Sequence, residues 1–287
     1  MNTIPKIKLI ECPRDAMQGW KQFIPTEKKI EYINALLKVG FDTIDFGSFV
    51  SPKAIPQLAD TKEVIKKLKL ESSKSKLLAI VANERGAQDA VVFDEITYLG
   101  FPFSVSETFQ KRNTNSTVEE SLGRVEEIQN LCIKNKKELV IYISMGFGNP
   151  YGDPYNEEIV FNWVNKMAAM GIKIISLADT VGLAITEQVS RMTNYLVTAL
   201  PGIEIGVHLH STPANWKAKV EAALAAGCKR FDGALKGIGG CPMAGDDLVG
   251  NMDTELMIPY FKELKLLNGL DMDALQYCSR LATRIFV

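Results

Sequence analysis

Short apolar runs alternate with stretches of helical periodicity along the whole 287-residue chain. The apolar runs predict strands over 7–10, 43–46, 77–81, 95–99, 139–144, 172–177, 203–209 and 230–232. Apolar residues at helical spacing predict helices over 27–39, 61–68, 84–91, 118–136, 157–170, 186–199 and 213–226. Gly40, Gly171 and Gly227 follow three of these helices, in the position where glycine ends a helix in the left-handed conformation.

This alternation predicts the fold class. Eight consecutive strand–helix units without a Pro- or Ser-rich linker are typical of a closed (β/α)8 TIM barrel of the α/β class. We therefore predict a single catalytic barrel domain over 1–287, with a short C-terminal helical extension. An open, doubly wound sheet is the alternative. It is disfavoured because neither GxGxxG after the first strand nor GxxxxGK[ST] occurs in the sequence.

Charge and composition exclude several function classes. The chain has 33 Lys and Arg against 34 Asp and Glu, so no basic excess favours nucleic acid or an anionic membrane. No apolar run approaches the length of a membrane span, and residues 1–8 contain no apolar core of a signal peptide. The five cysteines are odd in number and form no CxxC pair, which favours a reducing, cytoplasmic location.

The only two histidines of the sequence, His208 and His210, are separated by one residue. Side chains of a strand alternate between its two faces, so both rings are expected on the same face. Paired imidazoles pack poorly in an apolar core and bind metals well. The pair alone leaves a metal site and a chance pairing as equal alternatives.

Further polar residues fall at the predicted strand ends, where barrel enzymes build their active sites. Each has a simpler structural interpretation: a strand-end Asp is often a helix cap and a loop Cys is usually inert. Together they favour a site. Asp15 and the two histidines offer one oxygen and two nitrogens, and Asn251 can add an amide oxygen. Zinc prefers a closed tetrahedral set, whereas this mixture suits octahedral Mg²⁺ or Mn²⁺.

Five motifs, in this order and spacing, resemble those of the 3-hydroxy-3-methylglutaryl-CoA lyase family. They are IECPRDAMQ (10–18), SFVSPK (48–53), SLADTVG (176–182), HLH (208–210) and GIGGCP (237–242). The family belongs to the metal-dependent lyase and synthase barrels. The glycine-rich Cys-Pro loop is the most specific motif, because the related synthases lack it. The resemblance covers residues from about 7 to about 260.

The resemblance implies an activity: retro-Claisen cleavage of 3-hydroxy-3-methylglutaryl-CoA to acetyl-CoA and acetoacetate, as in leucine degradation and ketone-body formation. It implies that the metal ligands are Asp15, His208, His210 and Asn251. The catalytic residues that it implies are Arg14, Asp15, Asp45, Asp179, His208 and Cys241. The substrate-binding residues are Arg14, Gln18, Glu107, Asn113 and Thr180. It also implies a divalent cation, Mg²⁺ or Mn²⁺, no nucleotide cofactor besides the CoA of the acyl-CoA substrate, and a homodimer.

Individual roles follow by position. Arg14 would polarise the thioester carbonyl, Asp179 would orient a histidine ligand or the substrate, and Cys241 would complete proton transfer from a mobile loop. Three departures concern the acyl group. Asp45 stands where the family has Glu, Ala16 where it has Gly, and Ser211 where it has Asp. The shorter acid at 45 could act through a water or leave room for a different acyl substituent.

Three alternatives stay open. A lyase or aldolase could act on a related hydroxyacyl-CoA with the same groups. A condensing synthase of the citramalate or isopropylmalate type usually carries a regulatory domain after the barrel, whereas only 36 residues follow Asn251 here. A metal-binding barrel without catalysis would tolerate loss of Arg14 or Cys241.

Overall fold

A computed structural model describes residues 6–240 and 249–286 of the chain. Eight parallel strands form a closed barrel in sequence order, and β8 pairs with β1 to close it. The strands are β1 Lys8–Glu11, β2 Thr43–Ser48, β3 Lys76–Ile80, β4 Ile96–Ser104, β5 Glu138–Ser144, β6 Ile174–Ala178, β7 Glu204–His208 and β8 Arg230–Gly233. The predicted (β/α)8 barrel is confirmed.

Helices surround the barrel. They are α1 Pro13–Gln18, α2 Thr26–Val39, α3 Thr61–Ile65, α4 Glu84–Val91, α5 Glu107–Thr114, α6 Val118–Lys134, α7 Glu157–Ala169, α8 Thr186–Ala199, α9 Trp216–Ala225, α10 Thr254–Glu263 and α11 Met272–Ile285. All seven predicted helices are present. The last two helices are the predicted C-terminal extension, and α11 packs against α2. None of the described helices is long and apolar enough to cross a membrane.

The barrel strands are buried on both faces. Alternate residues face either the layer between the barrel and the helices or the space inside the barrel. Outward-facing residues such as Ile44 and Leu99 belong to the main core under the helices. Inside the barrel, β3 to β6 contribute a mainly apolar cluster of Leu78, Ile80, Tyr98, Val140, Tyr142 and Ile174. The inner positions of β2, β7 and β8 are instead charged or polar: Asp45, His208, Arg230 and Asp232, all buried. This asymmetry places the polar chemistry on one side of the barrel.

A buried carboxyl group joins β1 to the segment after β8. Glu11 is fully buried, and its two oxygens accept hydrogen bonds from the Leu235 backbone N–H (2.8 Å) and the Thr254 hydroxyl (2.7 Å). Burial raises the pKa of Glu11 to about 8, although both hydrogen bonds oppose the shift. The folded protein therefore holds this proton at pH values where the unfolded chain has released it.

Glu11→Gln should flatten the pH dependence of stability. Between the ordinary pKa of 4.5 and the folded pKa of about 8, the folded state binds more protons. The free energy of unfolding therefore falls as pH rises, by up to about 1.4 kcal/mol per pH unit from this group. Gln lacks this proton but can still accept from Leu235 N–H and donate to Thr254. Urea unfolding of both proteins from pH 5 to 8 measures the slopes, and equal slopes would contradict the assignment.

Candidate active site

A cavity of about 540 Å³ opens at the carboxyl ends of the strands. It brings together residues that are far apart in the sequence. Seven of the predicted site residues line it: Arg14, Asp15, Gln18, Asn113, Thr180, His208 and His210. The lining also includes apolar and aromatic side chains, among them Val50, Ile80, Pro102 and Tyr142. The cavity therefore combines charged and apolar surface, as a site for an amphipathic small molecule does.

The guanidinium of Arg14 lies between two carboxylates. Helix α1 begins directly after β1, with Pro13 at its first position, and this places Arg14 and Asp15 at the cavity. Arg14 Nη1 donates to Asp15 Oδ1 (2.8 Å) and to Gln18 Oε1 (3.1 Å). Its Nε and Nη2 both donate to Asp45 Oδ2, at 3.0 and 2.5 Å. The planar group is thus held in a fixed orientation at the cavity wall.

The pKa values of Asp45 and Asp15 are shifted in opposite directions. Burial raises the pKa of Asp45 to about 6, against the opposing effect of Arg14. Burial acts in the same direction on Asp15, but Arg14, His208 and His210 outweigh it and lower its pKa to about 2. Asp15 is therefore anionic at neutral pH, and it faces the cavity. Asp45 has no exposed surface and contacts Arg14 from the protein interior.

The two histidines lie at the end of β7 with ring centroids 5.4 Å apart, which confirms that they share a side. The strand ends at His208, and His210 follows it in a bridge to Asn251. His208 Nδ1 lies 3.3 Å from Asp232 Oδ2, and His210 Nδ1 lies 2.8 Å from the Val249 carbonyl oxygen. A carboxylate and a carbonyl only accept, so both Nδ1 atoms donate. The Nε2 lone pair of each neutral ring is then available to a cation.

The protonation of the histidines is not equal. Burial acts to lower the pKa of His208, but the hydrogen bond and charge of Asp232 raise it above its ordinary value. Burial and the neighbouring His208 lower the pKa of His210. A cation at this pair therefore competes mainly with a proton on His208.

Asn251 is the fourth of the predicted metal ligands. Its Nδ2 donates to Asp15 Oδ2 (2.7 Å) and to the Ile238 carbonyl (2.9 Å). Its Oδ1 is buried and has no hydrogen-bond partner among the described residues. Gly239 lies against it at φ +113°, where an added Cβ would be 2.4 Å from Asn251 Nδ2. The glycine-rich loop therefore needs glycine here to approach the cluster, and the unpartnered oxygen fits a cation ligand.

A second set of donor atoms lies beside the first. Cys12, His208 and Asp232 offer ligand atoms within 4.8 Å of one another. Burial, followed by Asp232 and Asp45, raises the pKa of the Cys12 thiol well above its ordinary value, so the thiolate that a metal requires is disfavoured. Asp232 is also the hydrogen-bond partner of His208. We therefore interpret Cys12 and Asp232 as buried residues that support His208, and not as metal ligands.

Four predicted site residues in the described part of the chain are absent from the cavity lining. Two of them, Asp45 and Asn251, form hydrogen bonds with the lining residues Arg14 and Asp15. The Asp179 carboxylate accepts from Lys219 Nζ (2.8 Å) and the Ala184 N–H (2.9 Å), and its proposed contact with a histidine ring is taken by Asp232. Glu107 accepts from the Val118 N–H at the start of α6 (3.0 Å), outside the cavity lining. Cys241 lies outside the described residues.

Asp232 and Lys219 were missed in the sequence. Asp232 ends a predicted strand with a charged residue at each end, 230–232, and both charges are buried inside the barrel. Charged residues two apart in such a short strand are a usable signal, because they share one face. Lys219 lies within a predicted surface helix, and nothing in its neighbourhood distinguishes it from a solvated lysine.

Asp232→Asn tests the support of His208. An amide can donate as well as accept, so it no longer fixes the tautomer that leaves Nε2 free. We expect Mn²⁺ to bind about 10–100-fold more weakly, the usual cost of losing a group that orients a metal ligand. Titration followed by electron paramagnetic resonance measures the affinity. Cys12→Ser is the matched control and should bind as the wild type does. A loss of affinity in Cys12→Ser as large as that in Asp232→Asn would identify the second set as the ligands.

Comparison with known proteins places this geometry in context. A family model described as HMGL-like matches residues 6–282. The human cytoplasmic 3-hydroxy-3-methylglutaryl-CoA lyase is 33% identical over 273 residues, covering 93% of this chain and 71% of the human protein. The Bacillus subtilis hydroxymethylglutaryl-CoA lyase is 32% identical over 266 residues, covering 92% and 87%.

The solved structures that resemble this fold are of proteins with the same name as these sequence relatives. An HMG-CoA lyase from Acinetobacter baumannii, in complex with coenzyme A and 3-methylmalate, superposes with a TM-score of 0.90 at 33% identity, covering 98% of this chain and 91% of that one. The HMG-CoA lyase from Bacillus subtilis gives a TM-score of 0.91 at 31% identity, with 99% and 95% covered.

Proposed function

Because this chain belongs to the HMGL-like family, we propose that it is a carbon–carbon lyase that cleaves 3-hydroxy-3-methylglutaryl-CoA to acetyl-CoA and acetoacetate. The observation that carries the proposal is the continuous hydrogen-bonded arrangement at the cavity, in which Asp15 contacts both Arg14 and Asn251 beside the two histidines. The relatives named as lyases of this substrate support it over a condensing synthase. The complex of one of them with coenzyme A supports an acyl-CoA substrate.

The residues that would hold a divalent cation are Asp15, His208, His210 and Asn251. When bound, the cation would supply Lewis acidity to the substrate's tertiary hydroxyl group. One carboxylate, two imidazoles and an amide oxygen suit Mg²⁺ or Mn²⁺ better than zinc. The low pKa of Asp15, about 2, keeps that ligand anionic.

The reaction breaks one C–C bond and transfers two protons. A base takes the hydroxyl proton, the electron pair of the O–H bond forms the new C=O bond at that carbon, and the neighbouring C–C bond breaks. Its electron pair passes to the thioester as an enolate, which then takes a proton on carbon to become acetyl-CoA. Arg14 faces the cavity with a fixed guanidinium and would stabilise the enolate oxygen. Cys241 remains our proposed proton donor to carbon.

Asp45 holds Arg14 in this role without an intervening water. Although it replaces the family's longer acid, its Oδ2 lies within direct hydrogen-bond distance of both Nε and Nη2 of Arg14. It lies beneath the guanidinium and is absent from the described cavity lining. The acid at 45 therefore acts on the arginine, and we propose that the unaltered acyl group of 3-hydroxy-3-methylglutaryl-CoA is accepted.

The assay that tests the activity uses purified protein with Mg²⁺ or Mn²⁺ and measures the release of acetyl-CoA and of acetoacetate. We expect cleavage of 3-hydroxy-3-methylglutaryl-CoA that a chelator abolishes and added cation restores. The matched substrate is 3-hydroxybutyryl-CoA, which has a secondary hydroxyl and no free carboxylate, and it should release no acetyl-CoA. Absence of cleavage with either metal, or cleavage that the chelator leaves unchanged, would contradict the proposal.

A cytoplasmic location and a homodimeric state complete the proposal. The names of the human and rat relatives include a cytoplasmic location. Cys12, Cys132, Cys228 and Cys278 are free thiols in the structure, as in a reducing compartment. The homodimer rests on the family resemblance, and light scattering of the purified protein would measure it.

A further inference from the structure

Lys219 is a lysine buried in the interior, with only 2% of its surface exposed. It lies in α9, next to Val220 and close to the buried Ala222 and Ala223. A buried ammonium group strongly destabilises the folded state unless it is paired and fully hydrogen-bonded. Such a residue needs a reason beyond surface charge, and the proposed reaction does not use it.

The ammonium group bridges two strand ends of the site. Lys219 Nζ donates to Asp179 Oδ2 and to the His210 carbonyl oxygen, both at 2.8 Å. Asp179 directly follows β6, and its other oxygen accepts from the Ala184 N–H at 2.9 Å. Both partners of the ion pair are buried, at 3% and 2% side-chain exposure. Lys219 therefore connects α9 with the backbone of a proposed metal ligand.

His210 is fixed from the opposite side by the segment 249–252. Its Nδ1 donates to the Val249 carbonyl, and the adjacent Ser211 N–H donates to the Gly250 carbonyl (3.0 Å). These contacts hold the ring and the chain after it. Because His210 lies beyond the end of β7, its carbonyl has no strand partner on the β6 side, and Lys219 takes that position.

Lys219 also changes the net charge beside the proposed metal site. Three buried carboxylates, Asp15, Asp45 and Asp232, already surround the histidines and Arg14. An unpaired Asp179 would add a fourth anion at the same strand ends. The ion pair neutralises it, and the hydrogen bonds from Lys219 and the Ala184 N–H engage both of its oxygens.

We propose that Lys219 is a positioning residue of the metal site: it fixes the backbone of His210 and keeps Asp179 from acting as a competing ligand. The inference rests on the proposed cation site. It differs from the role that the sequence assigned to Asp179, since here the carboxylate serves to anchor the lysine.

Three variants separate positioning from simple stabilisation: Lys219→Met, Asp179→Asn and the double variant. Lys219→Met leaves a buried carboxylate unpaired and is expected to lower stability. The double variant removes both charges, so its urea midpoint should recover toward that of the wild type. We expect Mn²⁺, followed by electron paramagnetic resonance, to bind about 10–100-fold more weakly to both variants that lack the lysine. Asp179→Asn, which retains the bond to His210, should bind more tightly than either.

The outcomes are distinct. Wild-type affinity in the double variant would overturn the proposal, because the ion pair would then serve stability alone. Tighter binding by Lys219→Met would also overturn it, since Asp179 would then be a useful ligand. Failure of the wild-type protein to bind Mn²⁺ would instead contradict the cation site itself. If Lys219→Met does not fold, the comparison of the double variant with Asp179→Asn decides the question.

Discussion

Arg14→Met should lower kcat about 10²–10³-fold, the usual cost of removing a donor that stabilises a developing oxyanion. The KM for the acyl-CoA should change much less, because the enolate charge develops only in the transition state. The structural basis is the fixed guanidinium, which three side chains hold at the cavity wall: Asp15, Gln18 and Asp45. Steady-state kinetics at saturating metal measure both constants.

Two controls keep this result interpretable. Arg14→Met leaves Asp45 buried without its partner, so Arg14→Met/Asp45→Asn removes both charges and should regain stability without regaining kcat. Arg14→Lys retains a charge but loses the planar fork, and should give an intermediate kcat. If the double variant had wild-type kcat, Arg14 would not stabilise the enolate.

Asp15→Asn should remove both metal binding and activity. Asp15 is the only anion in the proposed ligand set, and its pKa of about 2 keeps it charged. We expect the loss of Mn²⁺ affinity to exceed the about 10–100-fold cost of losing a supporting residue. Calorimetric titration measures the affinity, and the acetoacetate assay measures the activity.

The matched control for Asp15→Asn is Ser211→Ala. Ser211 is buried directly after His210, but its hydroxyl contacts the sulfur of Met252 (3.4 Å) rather than a ligand atom. This variant should keep the wild-type affinity. Equal losses in Ser211→Ala and Asp15→Asn would show that the region is merely sensitive to substitution.

The fold was predictable because its signal is local and repeated. Each parallel strand is buried on both faces, so eight apolar runs stand out between amphipathic helices. The least accurate strand was β4, predicted over 95–99 but extending to Ser104. Gly100 and Pro102 resemble strand breakers in the sequence. In the structure, a Cβ at position 100 would lie 2.6 Å from Ile80 Cδ1, so a larger residue there would displace the inward-facing side chain of Ile80.

Helix α5 was not predicted, because its sequence, ETFQKRNT, is too polar to show a clear apolar face. Its start is fixed by Ser106, whose hydroxyl accepts from the Phe109 N–H. Asp153, from the loop after β5, also accepts from the Ser106 and Thr108 hydroxyls. Contacts with a distant loop thus stabilise a helix that local periodicity does not reveal.

The candidate site, like the fold, was predictable only where its signal is local in the sequence. Arg14 with Asp15, and His208 with His210, were visible because each pair is adjacent or nearly adjacent in the chain. The partners that orient them come from other strands and helices: Asp232 reaches His208 from β8, and Lys219 reaches His210 from α9. Only tertiary structure can show which buried charge supports which ligand.

We propose that Asp15, His208, His210 and Asn251 hold the cation that this lyase needs. Anomalous diffraction from crystals soaked in Mn²⁺ would locate that cation. We expect one strong peak within coordination distance of the Asp15 carboxylate, both histidine Nε2 atoms and Asn251 Oδ1. A peak bound instead by Cys12 and Asp232, or no peak in protein that cleaves its substrate only with Mn²⁺, would contradict it.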